Sequence, residues 1–272
     1  MHKTFSHNAP AIRFTTFLAP NLYRTYGHIA RFVGGKVGYP TRLTVGQSFE
    51  DFAAGQADVG FICSLPYVHL ADAPNSPVEL LVAPVLQGER YQNKPVYFSD
   101  VIVRSDSPFT SFDDLDGCVW AYNQPTSHSG YNLVCYSLLE QNKTLHYFGT
   151  MVETGSHRRS MQLVLEGQTD AAALDSHVLD VLFAQDKDLA LQLRVVAMLG
   201  PSSIPPMVVA RSLDSRLKRR MQEALMTMHT DLDAARVLHE GRIDHFVAVT
   251  DADYDDIRKI AARVRDAMKA PF

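Results

Sequence analysis

Short apolar runs rich in β-branched and aromatic residues alternate along this chain with stretches whose apolar residues recur every three or four positions. The runs predict strands at residues 11–18, 42–45, 59–63, 96–105, 118–122, 146–149, 170–174, 193–199 and 207–210. The periodic stretches predict helices at residues 21–37, 48–55, from Ser64 onward, up to about 141, at 156–166, and throughout 214–270. Alternation of this kind is typical of α/β architecture.

One short phrase occurs twice. Gly-Gln-x-Asp stands at residues 55–58 and again at 167–170, each time after a predicted helix and before a predicted strand. The phrase is too short to be a sequence repeat, but it favours two lobes built from the same βαβ arrangement. Since no linker enriched in Pro, Gly or Ser separates them, we expect the chain to cross between lobes on two strands. The predicted first lobe is residues 1–100 plus 200–272, and the second is 101–199.

Composition excludes several function classes. The chain has 272 residues, with 26 Lys and Arg against 30 Asp and Glu, so its formal net charge is −4. Nucleic acid is therefore not an expected partner, because a phosphate backbone requires a basic surface. The chain contains no run of about 18 apolar residues, so the sequence predicts no membrane-spanning helix. Residues 1–10 lack the pattern of a secretory signal, so either the protein acts inside the cell or its signal lies outside this sequence.

Cysteine and histidine spacing gives no metal or disulfide framework. The three cysteines, Cys63, Cys118 and Cys135, form no CxxC pair and lie in apolar runs, as buried cysteines do. The histidines show no HExxH or paired-ligand spacing. We expect neither a metal site nor a cofactor.

Polar residues at strand ends beside helix starts are the candidate ligand contacts, because open α/β sheets bind ligands there. The segment Thr126-Ser127-His128-Ser129-Gly130 combines three hydroxyls with the free N–H groups of a helix start, which suits a small anion. Its structural alternative is a serine that only caps the helix.

His157 and Asp175 occupy similar places. His157 lies in the first turn of a helix, where the dipole disfavours a charged ring and leaves a neutral donor; the alternative is a surface histidine. Asp175 ends a buried run and is either a partly desolvated carboxylate or an ordinary helix cap. A hydrolytic triad of Ser127, His157 and Asp175 is not favoured, because the GxSxG elbow is absent. We predict no catalytic residues.

Taken in order, these pieces resemble a known family. They are Asp58-Val-Gly-Phe followed by Pro66-Tyr67, the strand beginning Tyr97-Phe98-Ser99, Asp114-Leu-Asp-Gly117, Ser127-His-Ser-Gly-Tyr131, Gly155-Ser-His157, the segment 167–175, and Ile204-Pro-Pro206. From about residue 14 to residue 253 the chain resembles the phosphonate, phosphite and phosphate-type periplasmic solute-binding proteins of ABC transporters.

The resemblance implies a type II periplasmic-binding-protein fold, with two lobes of mixed sheet flanked by helices that close by a hinge on a ligand in the interlobe cleft. It also implies a set of ligand contacts: Tyr67, Tyr97, Ser127, His128, Ser129, His157 and Asp175. His128 departs from the family, which commonly has Thr there.

The implied function is capture of a small oxyanion for a membrane permease, without turnover, by a monomer in the periplasm. A cytoplasmic location is the alternative to the periplasm. A ligand-sensing receptor of the same fold is the alternative function. An enzyme related to the pyrimidine-forming synthase of thiamine biosynthesis is a further alternative, but the cysteine-rich motif of that class is absent.

Overall fold

The strands and helices follow the alternation of the sequence. The computed structural model describes residues 11–269; the polar segment 1–10 and the predicted helix end at 270 lie outside this range. The strands are β1 (Ile12–Thr16), β2 (Thr41–Val45), β3 (Val59–Phe61), β4 (Val78–Leu86), β5 (Val96–Arg104), β6 (Val119–Tyr122), β7 (Thr150–Glu153), β8 (Ala171–Asp175), β9 (Leu193–Ser203), β10 (Met207–Ala210) and β11 (Ile243–Val247). The helices are α1 (Tyr23–Val37), α2 (Glu50–Ala53), α3 (Ser64–Ala71), α4 (Leu133–Glu140), α5 (His157–Leu165), α6 (Ser176–Gln185), α7 (Lys187–Gln192), α8 (Ser215–Met226), α9 (Leu232–Glu240) and α10 (Asp255–Lys269).

The described chain divides into two units. Residues up to Val96 and residues 203–254 form the first unit, and residues 97–202 together with α10 form the second. The sheet of the first unit has the order β11-β4-β10-β3-β1-β2. Strands β1, β2 and β3 run parallel, and β4, β10 and β11 add antiparallel pairs, so the sheet is mixed. Its helices include α1, which buries a face that includes Ile29 and Val33 and ends at Gly38 in the left-handed conformation.

The second unit is built on the sheet β7-β6-β8-β5-β9. Strands β6, β7 and β8 are parallel, and β5 pairs antiparallel with β8. Trp120 is fully buried at the centre of its core and stacks on Phe148, with ring centroids 4.3 Å apart. Burying rings of this size supplies much of the apolar contact that holds such a core together.

Helix α10 belongs to the second unit, whereas the predicted limits placed it in the first lobe. The reason lies in its apolar stripe: Ile260 and Val264 pack with Leu133 and Cys135 of α4. Sequence position alone suggested that the chain returns to the first lobe and stays there.

The repeated Gly-Gln-x-Asp phrase has the same structural role in both units. Gly55 and Gly167 leave the preceding helix with φ angles of 65° and 68°, which suit glycine. The carboxylates of Asp58 and Asp170 then accept a hydrogen bond from a backbone N–H of the neighbouring parallel strand, each at 2.8 Å. The phrase therefore ends a helix and fixes the start of a parallel pair.

Two sequence predictions of secondary structure are wrong. Residues 146–149 were expected to be a strand, but β7 begins only at Thr150. The aromatic side chains of Tyr147 and Phe148, which suggested the strand, pack instead in the core around Trp120. The C-terminal part was expected to be helical throughout, but β11 interrupts it and pairs with β4. Among the described residues, no helix is both long and apolar enough to cross a membrane.

Candidate functional site

Residues 126–130, referred to below as the serine-rich segment, begin a helix in the second unit. Residues 128–132 make a π-helical turn that leads into α4, and Ser127 caps it by accepting a hydrogen bond from the Gly130 N–H at 3.0 Å. Ser127 therefore acts as a helix cap in this structure. Gly130 is required by the close approach of the neighbouring chain, since a Cβ there would lie 2.1 Å from Asn123 Oδ1.

His157 and Ser129 come together, as their shared proposed role requires. The Nε2 atom of His157 lies 3.3 Å from Ser129 Oγ and 3.4 Å from Asn123 Nδ2. Both distances are long for hydrogen bonds between such groups. The Ser129 carbonyl is fixed separately, because Ser99 Oγ donates to it at 2.6 Å. The Ser129 hydroxyl and the Asn123 amide thus both approach the Nε2 atom of His157.

The His157 ring is neutral near pH 7. Burial lowers its pKa to about 4, against a smaller raising effect of hydrogen bonding with the Ala173 backbone. His157 is the first residue of α5, whose cap is Ser156. The sequence argument assigned the neutral state to the helix dipole, whereas the dominant cause in the structure is desolvation. A neutral imidazole can donate to an anion without a formal charge.

Asp175 ends β8 and caps α6. Its Oδ1 accepts hydrogen bonds from the N–H groups of His177 at 2.8 Å and Val178 at 3.3 Å. Burial raises the pKa of Asp175 to about 7, the two capping bonds lower it, and the carboxylates of Asp100 and Asp180 raise it further. In the sheet, Asp175 is the register partner of Ser99, whose hydroxyl donates to the Ser129 carbonyl.

His128 and Tyr97 are both fully buried in the second unit. Their ring centroids lie 6.4 Å apart. The Nε2 atom of His128 lies 2.9 Å from Ser202 Oγ, and that hydroxyl donates to Asp256 Oδ2 at 2.7 Å. Burial lowers the pKa of His128 to about 4, although the charge of Asp256 acts in the opposite direction.

Tyr67 belongs to the first unit. It lies on α3, its hydroxyl donates to Asp251 Oδ1 at 2.7 Å, and its ring contacts Tyr254 edge-on at 4.8 Å. The other six predicted contacts all belong to the second unit.

Sequence reasoning missed four residues around these side chains: Asn123, Ser99, Ser202 and Asp256. Asn123 follows a buried strand, which is the signal that identified Asp175, so it could have been found. Ser99 lies in the Tyr97-Phe98-Ser99 motif but was not predicted as a contact. Ser202 and Asp256 carry no local signal, because their hydrogen bonds span 74 and 54 positions.

Comparison with known proteins identifies the family. Residues 14–254 match the family described as the periplasmic substrate-binding protein of phosphonate ABC transporters. The chain belongs to this family. Its members are solute-binding proteins and not enzymes, and membership implies a small-molecule ligand, a cognate permease and a periplasmic location.

Solved structures share the fold. A binding-protein component of an ABC phosphonate transporter from Pseudomonas aeruginosa is 18% identical, with a TM-score of 0.81 over 95% of this chain and 87% of that one. A Prochlorococcus marinus protein in complex with methylphosphonate is 13% identical, with a TM-score of 0.78 over 94% and 98%. The GluR0 ligand-binding core from Nostoc punctiforme, in complex with glutamate, is 15% identical, with a TM-score of 0.56 over 85% and 98%. The phosphonate-binding family member described here therefore has the type II periplasmic-binding-protein fold.

Proposed function

We propose that this binding protein captures a small tetrahedral oxyanion, such as a phosphonate, phosphite or phosphate, as a monomer. Ser127, Ser129, His157 and Asp175 are its central contacts, with Tyr97, His128 and Tyr67 contributing. The observation that carries the proposal is the convergence of Ser129 Oγ and His157 Nε2 at 3.3 Å. The phosphonate class named for the family and the methylphosphonate bound by the Prochlorococcus protein support the same ligand chemistry.

The proposed site uses hydroxyl and imidazole donors in place of lysine or arginine. The chain's net charge of −4 argues against polyanions, which need an extended basic surface. A single small oxyanion needs only a few hydrogen-bond donors, and a helix start supplies further N–H groups. Polar groups buried without a partner cost about 1–3 kcal/mol each, so such a site discriminates strongly between anions of similar size.

Titration calorimetry with methylphosphonate, phosphite, phosphate and sulfate tests the proposal. We expect at least one of the first three to bind at one site and more tightly than sulfate. At a hundredfold excess over its Kd, that anion is expected to raise the free energy of unfolding by about 2.7 kcal/mol. Ser129→Ala is expected to weaken binding about tenfold or more, because it removes a donor from a buried contact.

The matched control is Ser212→Ala, which makes the same change at an exposed turn of the first unit. It is expected to leave the affinity unchanged. The proposal fails if none of the four anions binds, or if the two variants weaken binding equally.

A further inference from the structure

Three polar side chains, two of them buried and the third partly exposed, form a line of hydrogen bonds behind the middle of the serine-rich segment. His128 Nε2 lies 2.9 Å from Ser202 Oγ, and Ser202 Oγ lies 2.7 Å from Asp256 Oδ2. His128 is fully buried and Ser202 is 2% exposed, so water does not compete freely for these contacts. The three residues are far apart in sequence but all belong to the second unit.

The number of protons on these three side chains fixes which group donates in each hydrogen bond. Ser202 has one hydroxyl proton, and the carboxylate of Asp256 accepts it. The Ser202 oxygen can then only accept from His128, so Nε2 of His128 must carry the ring proton. Because burial keeps the ring neutral, Nδ1 is left as a lone-pair acceptor.

Nδ1 of His128 is buried and has no hydrogen-bond partner among residues 11–269. Native structures rarely leave a buried polar atom unsatisfied, and one that does calls for an explanation. His128 stands between Ser127 and Ser129, the two hydroxyl residues of the proposed oxyanion contact. A ligand group that carries a proton would supply the missing donor.

We propose that Asp256 and Ser202 are positioning residues that hold His128 in its Nε2–H form, so that Nδ1 accepts a hydrogen bond from a proton-bearing group of the ligand. This inference rests on the proposed function. It predicts selection for oxyanions that carry a P–OH, such as hydrogen phosphonate or hydrogen phosphite, over anions that carry no proton. Neither Ser202 nor Asp256 needs to touch the ligand.

Nitrogen-15 NMR of histidine-labelled full-length protein tests the first step without ligand. We expect the native chain to show His128 with a protonated Nε2 and an unprotonated Nδ1. Titration with methylphosphonate is expected to move the Nδ1 resonance, whereas sulfate at saturation leaves it in place. A ligand-free ring protonated at Nδ1, or an equal response to both anions, would overturn the inference.

Two variants test the positioning role. We expect Asp256→Asn and Ser202→Ala each to remove the constraint that keeps His128 in its Nε2–H form. Each variant is expected to weaken the binding of methylphosphonate about tenfold while changing the affinity for sulfate little. The matched control is Asp255→Asn, one residue earlier, where the carboxylate is largely exposed and pairs with Arg258. If either variant fails to fold, the remaining variant and the tautomer of His128 in the native protein still test the positioning role.

The outcomes separate the two proposals. A native chain that binds methylphosphonate but holds the opposite tautomer overturns this inference alone. A native chain with the expected tautomer that binds none of the anions overturns the proposed function, and with it the ligand contact of His128. Variants that bind and titrate like the Asp255→Asn control overturn the positioning role.

Discussion

Two opposing effects set the pKa of Asp175. Its Oδ1 accepts two capping hydrogen bonds, which favour the carboxylate, but its burial disfavours the charge more strongly and the pKa rises to about 7. The folded chain therefore binds this proton more tightly than the unfolded chain does. The contribution of Asp175 to stability is consequently greatest in acid and is lost as pH rises from about 4 to about 7.

Asp175→Asn removes this pH dependence while keeping a side chain that caps helices well. Relative to the native chain, the variant is expected to gain stability as pH rises from 5 to 7, by up to about 1.4 kcal/mol for each pH unit. Calorimetric unfolding at several pH values measures the difference. Asp186→Asn, at the exposed cap of α7, is the control and is expected to show no such gain. A constant difference between Asp175→Asn and the native chain would contradict the assigned burial cost.

The same proton bears on ligand choice. Since the single P–OH proton of a hydrogen phosphonate is assigned to His128 Nδ1, Asp175 discriminates by charge: its carboxylate repels the doubly charged sulfate more than the singly charged hydrogen methylphosphonate. We expect Asp175→Asn to reduce the preference for methylphosphonate over sulfate about tenfold, because the amide can still donate to either anion. Competition calorimetry measures the preference at pH 7.5, where most of the carboxylate is ionised. Equal weakening of both anions would show that Asp175 only caps α6.

At the scale of elements, α10 stabilises the second unit through a short apolar stripe. Ile260 is 7% exposed and packs with Val264 against α4. Ile260→Ala is expected to lower the free energy of unfolding by about 2–5 kcal/mol, the usual range for a large aliphatic residue cut to alanine in a core. Met268→Ala, at a half-exposed position of the same helix, is the control. Equal thermal midpoints for the two variants would contradict the packing described here.

Elements with a strong local pattern were predictable from the sequence, and elements that depend on distant partners were not. The spacing of Ile29 and Val33 predicted α1, which the structure confirms. Strands β4 and β11 were both absent from the prediction, and they pair with each other across more than 150 residues. Their hydrogen bonds stabilise each strand only after the fold has brought them together, so neither segment shows its state alone.

The site was predictable to a similar extent. Ser129, His157 and Asp175 were predicted as contacts because each lies where a strand end is close to a helix start. The structure brings the first two within 3.3 Å of each other, and their role toward a ligand stays a prediction. The Ser202 and Asp256 contacts were not found, because a hydrogen-bond chain across 54 positions leaves no spacing to recognise.

At the scale of the whole molecule, the repeated Gly-Gln-x-Asp phrase predicted two similar halves, and each unit indeed holds a mixed sheet. The phrase marks both halves because its aspartate has the same role in each sheet: the carboxylate accepts a hydrogen bond from a backbone N–H of the neighbouring parallel strand. The phrase does not predict to which unit the C-terminal helix α10 belongs. That depends on side chains of α4 and α10 that meet only in the folded second unit.

Trp120 is the only tryptophan of the chain, and it lies stacked on Phe148 in the second unit. The two halves of the molecule are therefore optically unequal. Light that excites indole alone yields emission from the half that holds Ser127 and His157, while the other half, whose fluorophores are tyrosines, stays dark. This single indole lies on β6, in the sheet of the unit that holds the central oxyanion contacts, so its emission reports the loosening of that core without a dye or label.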